Sequence, residues 1–171
     1  PPIIVFLNEK RAVEILAKTI ENWGWKPVIY HGGRSQEQRE AAIEGFRNSK
    51  FILSIANLIT PFLEKYDVLV TTDLGQRGLD VEGVKYVINF DAPKDISGFV
   101  HRTGRTGRAG KKGTAITFLT GKNEELFFDL KNFLVQNGQK VPEELADHPA
   151  TKVKPGTVNT VARKNQVIYA Q

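Results

Sequence analysis

Cysteine and methionine are both absent from this chain of 171 residues, and tryptophan occurs only twice. Without cysteine there can be no disulfide and no thiolate zinc site, which fits a reducing compartment. No apolar run reaches membrane-spanning length and no secretory leader is visible. A basic amphipathic helix is missing too, which ranks a membrane surface below nucleic acid as a partner. No G-x-x-x-x-G-K-[ST] phosphate loop occurs, since Gly121-Lys122 lacks the spaced upstream glycine. There is no internal repeat and no residue pattern for reading bases in sequence. The chain opens on Pro1-Pro2 directly before a strand-like run, without an initiator methionine, and is read as a piece of something longer.

What is present is a globular composition, 40% hydrophobic and 25% charged. It is enough for one domain with a sizeable core and a tail. Lysine and arginine exceed the acids by 24 to 19, a formal net charge of +5. That excess favours an anionic partner, although alone it supports only weak, salt-sensitive attraction.

In chain order, Ile3–Leu7 is a continuous apolar run expected as a strand covered on both faces. A helix follows, with Asn8 as its expected cap and Val13, Ile15, Leu16, Ile20 and Trp23 as its apolar stripe, ending at Gly24. Trp23 and Trp25 are expected in core and rim rather than as base-stacking platforms. Pro27–Tyr30 reads as a second strand, and Ser35-Gln36-Glu37-Gln38 as a capping box opening a helix through Ile43 and Phe46. Further strands are expected at 67–72, 85–90 and 114–119, a short helix from Asp95, and a final helix over 124–135. Residues 138–171, punctuated by Pro142, Pro149 and Pro155 with Val167-Ile168-Tyr169 as their apolar cluster, read as an extended tail. The apolar segment 51–65, broken by Pro61, fits no solvated loop. It packs on the domain, offers a patch to a partner, or is not native coding sequence, such as a translated intron.

Strands alternating with helices at this spacing predict an α/β layer fold with a mostly parallel sheet. Ligands of such sheets bind outside the carboxyl ends of the strands. There lie Asn8, His31 to Arg34, Thr72-Asp73 and Asp91.

The densest chemistry is His101-Arg102-Thr103-Gly104-Arg105-Thr106-Gly107-Arg108-Ala109-Gly110. Arginine forks suit phosphate oxygens, and glycines allow close backbone approach. By residues alone this is either a solvated basic loop touching RNA or part of a phosphate site.

HRTGRTGRAG resembles the sixth motif of the DEAD-box RNA helicases. TTDLGQRGLDV is similar to their fifth motif, HGGRSQEQRE to the Gln-x-x-Arg segment, and IIVFLNEKR to the fourth. Order and spacing match the second RecA-like domain of that family over 1–137, leaving 138–171 as tail. The resemblance therefore implies a RecA-like three-layer fold and the C-terminal lobe of an ATP-dependent helicase. It implies arginine fingers at Arg105 and Arg108, coupling to the neighbouring lobe by His101 and Arg102, and nucleotide contacts by Gly78 and Asp80. It implies RNA-backbone contacts by Asn8, Gly33, Arg39 and Thr72. ATP with Mg2+ would be bound mainly by a preceding RecA-like lobe, because no Asp-Glu-Ala-Asp occurs here; no metal site is expected in this chain. PEELADHPATKVKPGT resembles the tail of a spliceosomal member associated with the U5 small nuclear ribonucleoprotein. That implies a nuclear location, spliceosomal partners and remodelling of pairing at the 5′ splice site. A family member of another pathway, in translation or ribosome assembly, and a non-enzymatic RNA-binding module are the alternatives. Thr103 stands where the family usually has isoleucine, and Leu74-Gly75-Gln76 replaces a run of small residues.

Overall fold

The computed structural model describes residues 2–55, 68–73, 81, 84–107 and 110–156, with backbone alone over 48–55. Among these, five strands form one parallel sheet in the order β2-β3-β1-β4-β5. They are β1 (Ile3–Leu7), β2 (Pro27–Tyr30), β3 (Val68–Thr72), β4 (Tyr86–Asn89) and β5 (Thr114–Thr117). The helices are α1 (Lys10–Asn22), α2 (Gln36–Ile55), α3 (Ile96–Thr103), α4 (Glu124–Gln136) and α5 (Glu143–Ala146).

Alternation along the strands builds the two faces of the sheet. Ile4, Phe6, Leu69 and Val87 pack with Phe46, Ala42 and Ile43 of α2. Val5, Leu7, Val68 and Val70 face Val13, Ala17 and Ile20 of α1. A helix on each face makes the three-layer α/β arrangement. Because both faces are covered, β1 is apolar throughout and β3 opens on the apolar run Val68-Leu69-Val70 before Thr71 and Thr72.

Several expectations change in detail. The buried stripe of α1 is Val13, Ala17 and Ile20, whereas Ile15 is 60% and Trp23 69% exposed. Trp23 and Trp25 are therefore not core residues. Asn8 does not cap α1; the capping position belongs to Glu9, without a side-chain bond. The capping box of α2 does form, with Ser35 N–H donating to Gln38 Oε1 and Gln38 N–H to Ser35 Oγ. The helix backbone runs on to Ile55, into the apolar segment 51–65; the rest of that segment lies outside the described residues. So do Leu74-Gly75-Gln76 and Val167-Ile168-Tyr169.

The chain divides into two compact units, Pro1–Leu126 and Phe127–Gln171. In the second, the residues after Gly138 are not simply extended, because α5 and a 3-10 turn at Pro149–Thr151 interrupt them. Lys131 Nζ donates to the carbonyl of Ala146 at 2.7 Å, and Phe127 meets His148 edge-on at 4.9 Å. Leu130 and Leu145 are buried there.

Candidate nucleotide and nucleic-acid site

The strand register brings the expected polar residues into one row. Leu7 pairs with Thr72, Tyr30 with Thr71, Phe6 with Asn89 and Asn89 with Thr117. The next residues, His31, Asp73, Asn8, Phe90 and Phe118, therefore line the carboxyl edge of the sheet.

At its centre is Arg102, which has no solvent exposure. Its Nε and Nη2 donate to Asp73 Oδ1 and Oδ2, both at 2.6 Å. Nη1 donates to the Asp91 carbonyl at 2.7 Å, and Nη2 also to Asn8 Oδ1 at 2.8 Å. A buried guanidinium is tolerable only with such pairing, and these bonds use four of its five N–H donors. The ring of Phe6 lies under it, 5.2 Å from ring centre to Cζ. One side chain thus ties together the carboxyl ends of β1, β3 and β4. Arg102 was expected to act on a neighbouring lobe; buried as it is, it can do so only through the groups it holds.

The ligation of Asn8 narrows what it can offer. Its Nδ2 donates to Ala92 O at 3.0 Å, and its backbone N–H to Asp91 Oδ2 at 2.9 Å. One N–H of the carboxamide remains for a ligand. Thr72 is buried at 3% exposure, on the last position of β3.

After β2, a compact cluster shapes the turn. Gly33 N–H donates to Nδ1 of the buried His31, whose Nε2 contacts Glu14 Oε1 at 2.9 Å. Nδ1 thus faces the turn and Nε2 faces the Glu14 carboxylate. Arg34 clamps the same carboxylate through both Nε and Nη2, the shortest contact being 2.7 Å. Burial pushes the Glu14 carboxyl upward, but the bonds from His31 and Arg34 and the Arg34 charge outweigh it, holding Glu14 below its ordinary value. A Cβ on Gly33 would stand 3.1 Å from the His31 ring, so a glycine fits this approach. Its N–H is engaged internally, so Gly33 offers a phosphate close approach at Cα and no free backbone donor. Arg39 is half-buried and donates to Gln36 Oε1 at 2.6 Å, with no carboxylate partner among the described residues.

Arg105 belongs elsewhere. Val84, two residues before β4, bridges Thr106 in parallel register, and its N–H donates to Arg105 O at 3.2 Å. The Thr106 hydroxyl donates to Val84 O at 2.5 Å. The arginine loop is therefore seated at the amino end of β4, opposite the polar row. Gly107 has φ 68, and a Cβ on Gly113 would collide with the Thr106 hydroxyl and the Gly107 nitrogen. His101 is exposed in the last turn of α3, and Arg105 follows in the turn after that helix ends. Thr103 donates its hydroxyl to Phe99 O at 2.8 Å, a bond to its own helix that accommodates the departure from isoleucine. Asp95 caps α3 through Gly98 N–H at 2.7 Å. Gly78, Asp80 and Arg108 lie outside the described residues. Among the described residues no three acidic or histidine side chains are grouped to hold a metal ion. No helix among them is long and apolar enough to cross a membrane.

Asp73 and Asp91 stood out in the sequence only as polar strand ends, and Glu14 not at all. The signal for Asp73 was a carboxylate directly after an apolar strand, level with Asn8 after another.

Residues 1–110 match the family described as "Helicase conserved C-terminal domain". The chain is 45% identical over 170 residues to "DEAD-box ATP-dependent RNA helicase 21" of Oryza sativa subsp. japonica, covering 99% of this chain and 21% of that protein. It is 46% identical over 156 residues to "Pre-mRNA-splicing ATP-dependent RNA helicase PRP28" of Chaetomium globosum, covering 91% of this chain and 20% of the relative. The chain thus spans about a fifth of the length of these relatives. Among solved structures, the RNA helicase Prp28 from Chaetomium thermophilum bound to ADP superimposes with a TM-score of 0.71 at 45% identity, over 86% of this chain and 33% of that one. The parallel, helix-flanked sheet is that of RecA-like helicase C-terminal domains.

Proposed function

Because this chain belongs to the helicase conserved C-terminal domain family, we propose that it is the second lobe of an ATP-dependent DEAD-box RNA helicase. Its pathway on this reading is pre-mRNA splicing in the nucleus, with spliceosomal partners and RNA pairing at the 5′ splice site as the substrate; the splicing name of a relative 46% identical supports it. The chain supplies one half of a composite site, and a preceding RecA-like lobe supplies the other.

The observation that carries the proposal is the Arg102 staple. Arg102 and Arg105 lie on one helix and its immediate continuation, so the arginine loop and the polar row move as one body. Asn8, Gly33, Arg39 and Thr72 hold RNA backbone along the edge, which fixes a strand without reading it. Arg105 and Arg108 bring fixed positive charge to a γ-phosphoryl group held by the other lobe. His101, in the last turn of α3, couples the lobes, and Gly78 and Asp80 serve the nucleotide. Bound ATP with Mg2+ supplies the phosphoryl group to be transferred, and the carboxylates for the metal come from the preceding lobe. When the lobes close, the row bends the strand it holds and weakens a short duplex.

Arg105→Ala in the two-lobe protein should lower RNA-stimulated ATP hydrolysis about 10³-fold or more, while RNA binding without nucleotide persists. Wild-type turnover in that variant would falsify the assignment. The 171-residue chain alone should show negligible hydrolysis; robust magnesium-dependent activity would refute the division between lobes. RNA binding indifferent to ATP and to the added lobe would favour a plain binding module.

A further inference from the structure

The carboxyl edge carries two phenylalanines that the polar assignments leave unused. Phe90 and Phe118 follow β4 and β5 directly and are 48% and 54% exposed. Their rings meet edge-on with centroids 6.0 Å apart. Backbone bonds hold both in place, Phe90 N–H to Phe6 O at 3.0 Å and Phe118 N–H to Asn89 O at 3.1 Å. Phe90 precedes Asp91, whose carboxylate receives the Asn8 N–H, so the ring pair continues the row in which Asn8 stands.

Two large apolar rings left in solvent call for an occupant. The neighbourhood says which. An exposed lysine follows each ring at the same distance along the chain, Lys94 after Phe90 and Lys122 after Phe118. Neither has an ion-pair partner among the described residues. Exposed aromatic rings with cations close by in the chain are the equipment for stacking bases while pairing their phosphates. Trp23 and Trp25, the other exposed aromatics among the described residues, precede β2 and so stand at the opposite end of the sheet, away from the row.

We propose that Phe90 and Phe118 form a base-stacking platform that extends the RNA path past Asn8 to the outer strand, with Lys94 and Lys122 on the phosphates. The proposal rests on the reading of this lobe as RNA-binding. From β2 to β5 the row crosses four strand spacings, roughly 19 Å at about 4.8 Å each. The platform is insensitive to base identity, since every base has a π-face.

The test is the full chain titrated with a labelled single-stranded oligoribonucleotide, and with the same length of abasic ribose-phosphate. A 2-aminopurine base reports stacking by quenching. Wild type should prefer the base-bearing strand and quench the probe. The double variant F90L/F118L keeps the apolar area and removes the rings' π-faces. It should lose affinity for the base-bearing strand by about fivefold or more, leave the abasic strand unchanged and abolish quenching. F90Y/F118Y should bind as wild type. K94A/K122A should flatten the salt dependence by about 1.4 in slope. If F90L/F118L folds normally by circular dichroism, binds as wild type and still quenches, the platform is overturned, and the rings serve to hold an apolar protein surface. If wild type binds no RNA, both the platform and the RNA-binding reading fall.

Discussion

The carboxyl edge of the sheet and the loop bearing Arg105 are held by different kinds of bond. At the edge, side chains hold side chains: Arg102 to Asp73 and Asn8, Arg34 and His31 to Glu14. In the loop, the bonds run to backbone: Val84 N–H donates to Arg105 O, the Thr106 hydroxyl to Val84 O, and Gly107 is at positive φ. Charged side chains orient a network but are lost one substitution at a time. A backbone-seated loop tolerates changes in side chain while being intolerant of an added Cβ. The first suits a surface that must yield to a flexible strand; the second suits a cation that must arrive at one place.

The comparison breaks most severely at Arg102. Arg102→Ala leaves Asn8 Oδ1 and the Asp91 carbonyl without their donor and a void over Phe6. Breaking a buried pair costs about 3–5 kcal/mol. Asp73 is 44% exposed and can rehydrate, which places the loss near about 3 kcal/mol, read as a shift in urea unfolding. Arg102→Lys keeps the charge but not the fork, and should recover less than half of that.

Gly113→Ala breaks the other side. Its Cβ would collide with Thr106 and the Gly107 backbone, so the loop must move, at a cost of about 1–3 kcal/mol. RNA affinity of the chain should stay at wild-type level, while the two-lobe protein should lose ATP turnover. Parallel losses of binding and turnover in this variant would show that the two regions are not separately built.

How much of this was legible beforehand follows from what each residue's environment depends on. β1 and β2 were read to their ends because buried parallel strands are continuous apolar runs bounded by polar residues. The stripe of α1 was read correctly at Val13, Leu16 and Ile20 but wrongly included Ile15 and Trp23 and missed Ala17, because large apolar residues were counted instead of angular positions. Val13, Ala17 and Ile20 fall within about 60° of one another on one face, while Ile15 is about 200° from Val13. Asn8, Gly33 and Thr72 were placed at the correct edge by strand order alone. The burial of Arg102 was not legible, since its partners are 29 and 94 residues away and only the closed sheet brings them together. For the same reason the sequence could not place the arginine loop at the opposite end from the row, as that depends on the bridge to Val84.

The smallest effect sharpens the edge further, at Glu14. Its carboxyl lies below its ordinary value, so it binds protons less readily folded than unfolded. A depressed carboxylate adds stability that is complete above the ordinary value of 4.5 and fades as pH falls through its folded value. Stability should therefore drop on acidification in this window, and Glu14→Gln should remove that part of the drop. With Glu14 41% exposed, solvent screening limits the contribution to within about 1 kcal/mol. The gap between wild type and Glu14→Gln should be open at about pH 7 and should shrink as pH falls below the ordinary value of 4.5. An unchanged gap across that range would mean that Arg34 and His31 orient the turn without stabilising the charge. Because Arg34 and His31 both hold the Glu14 carboxylate, acid should also loosen the turn proposed to approach RNA, whereas the Arg105 loop, seated on Val84, should keep its position.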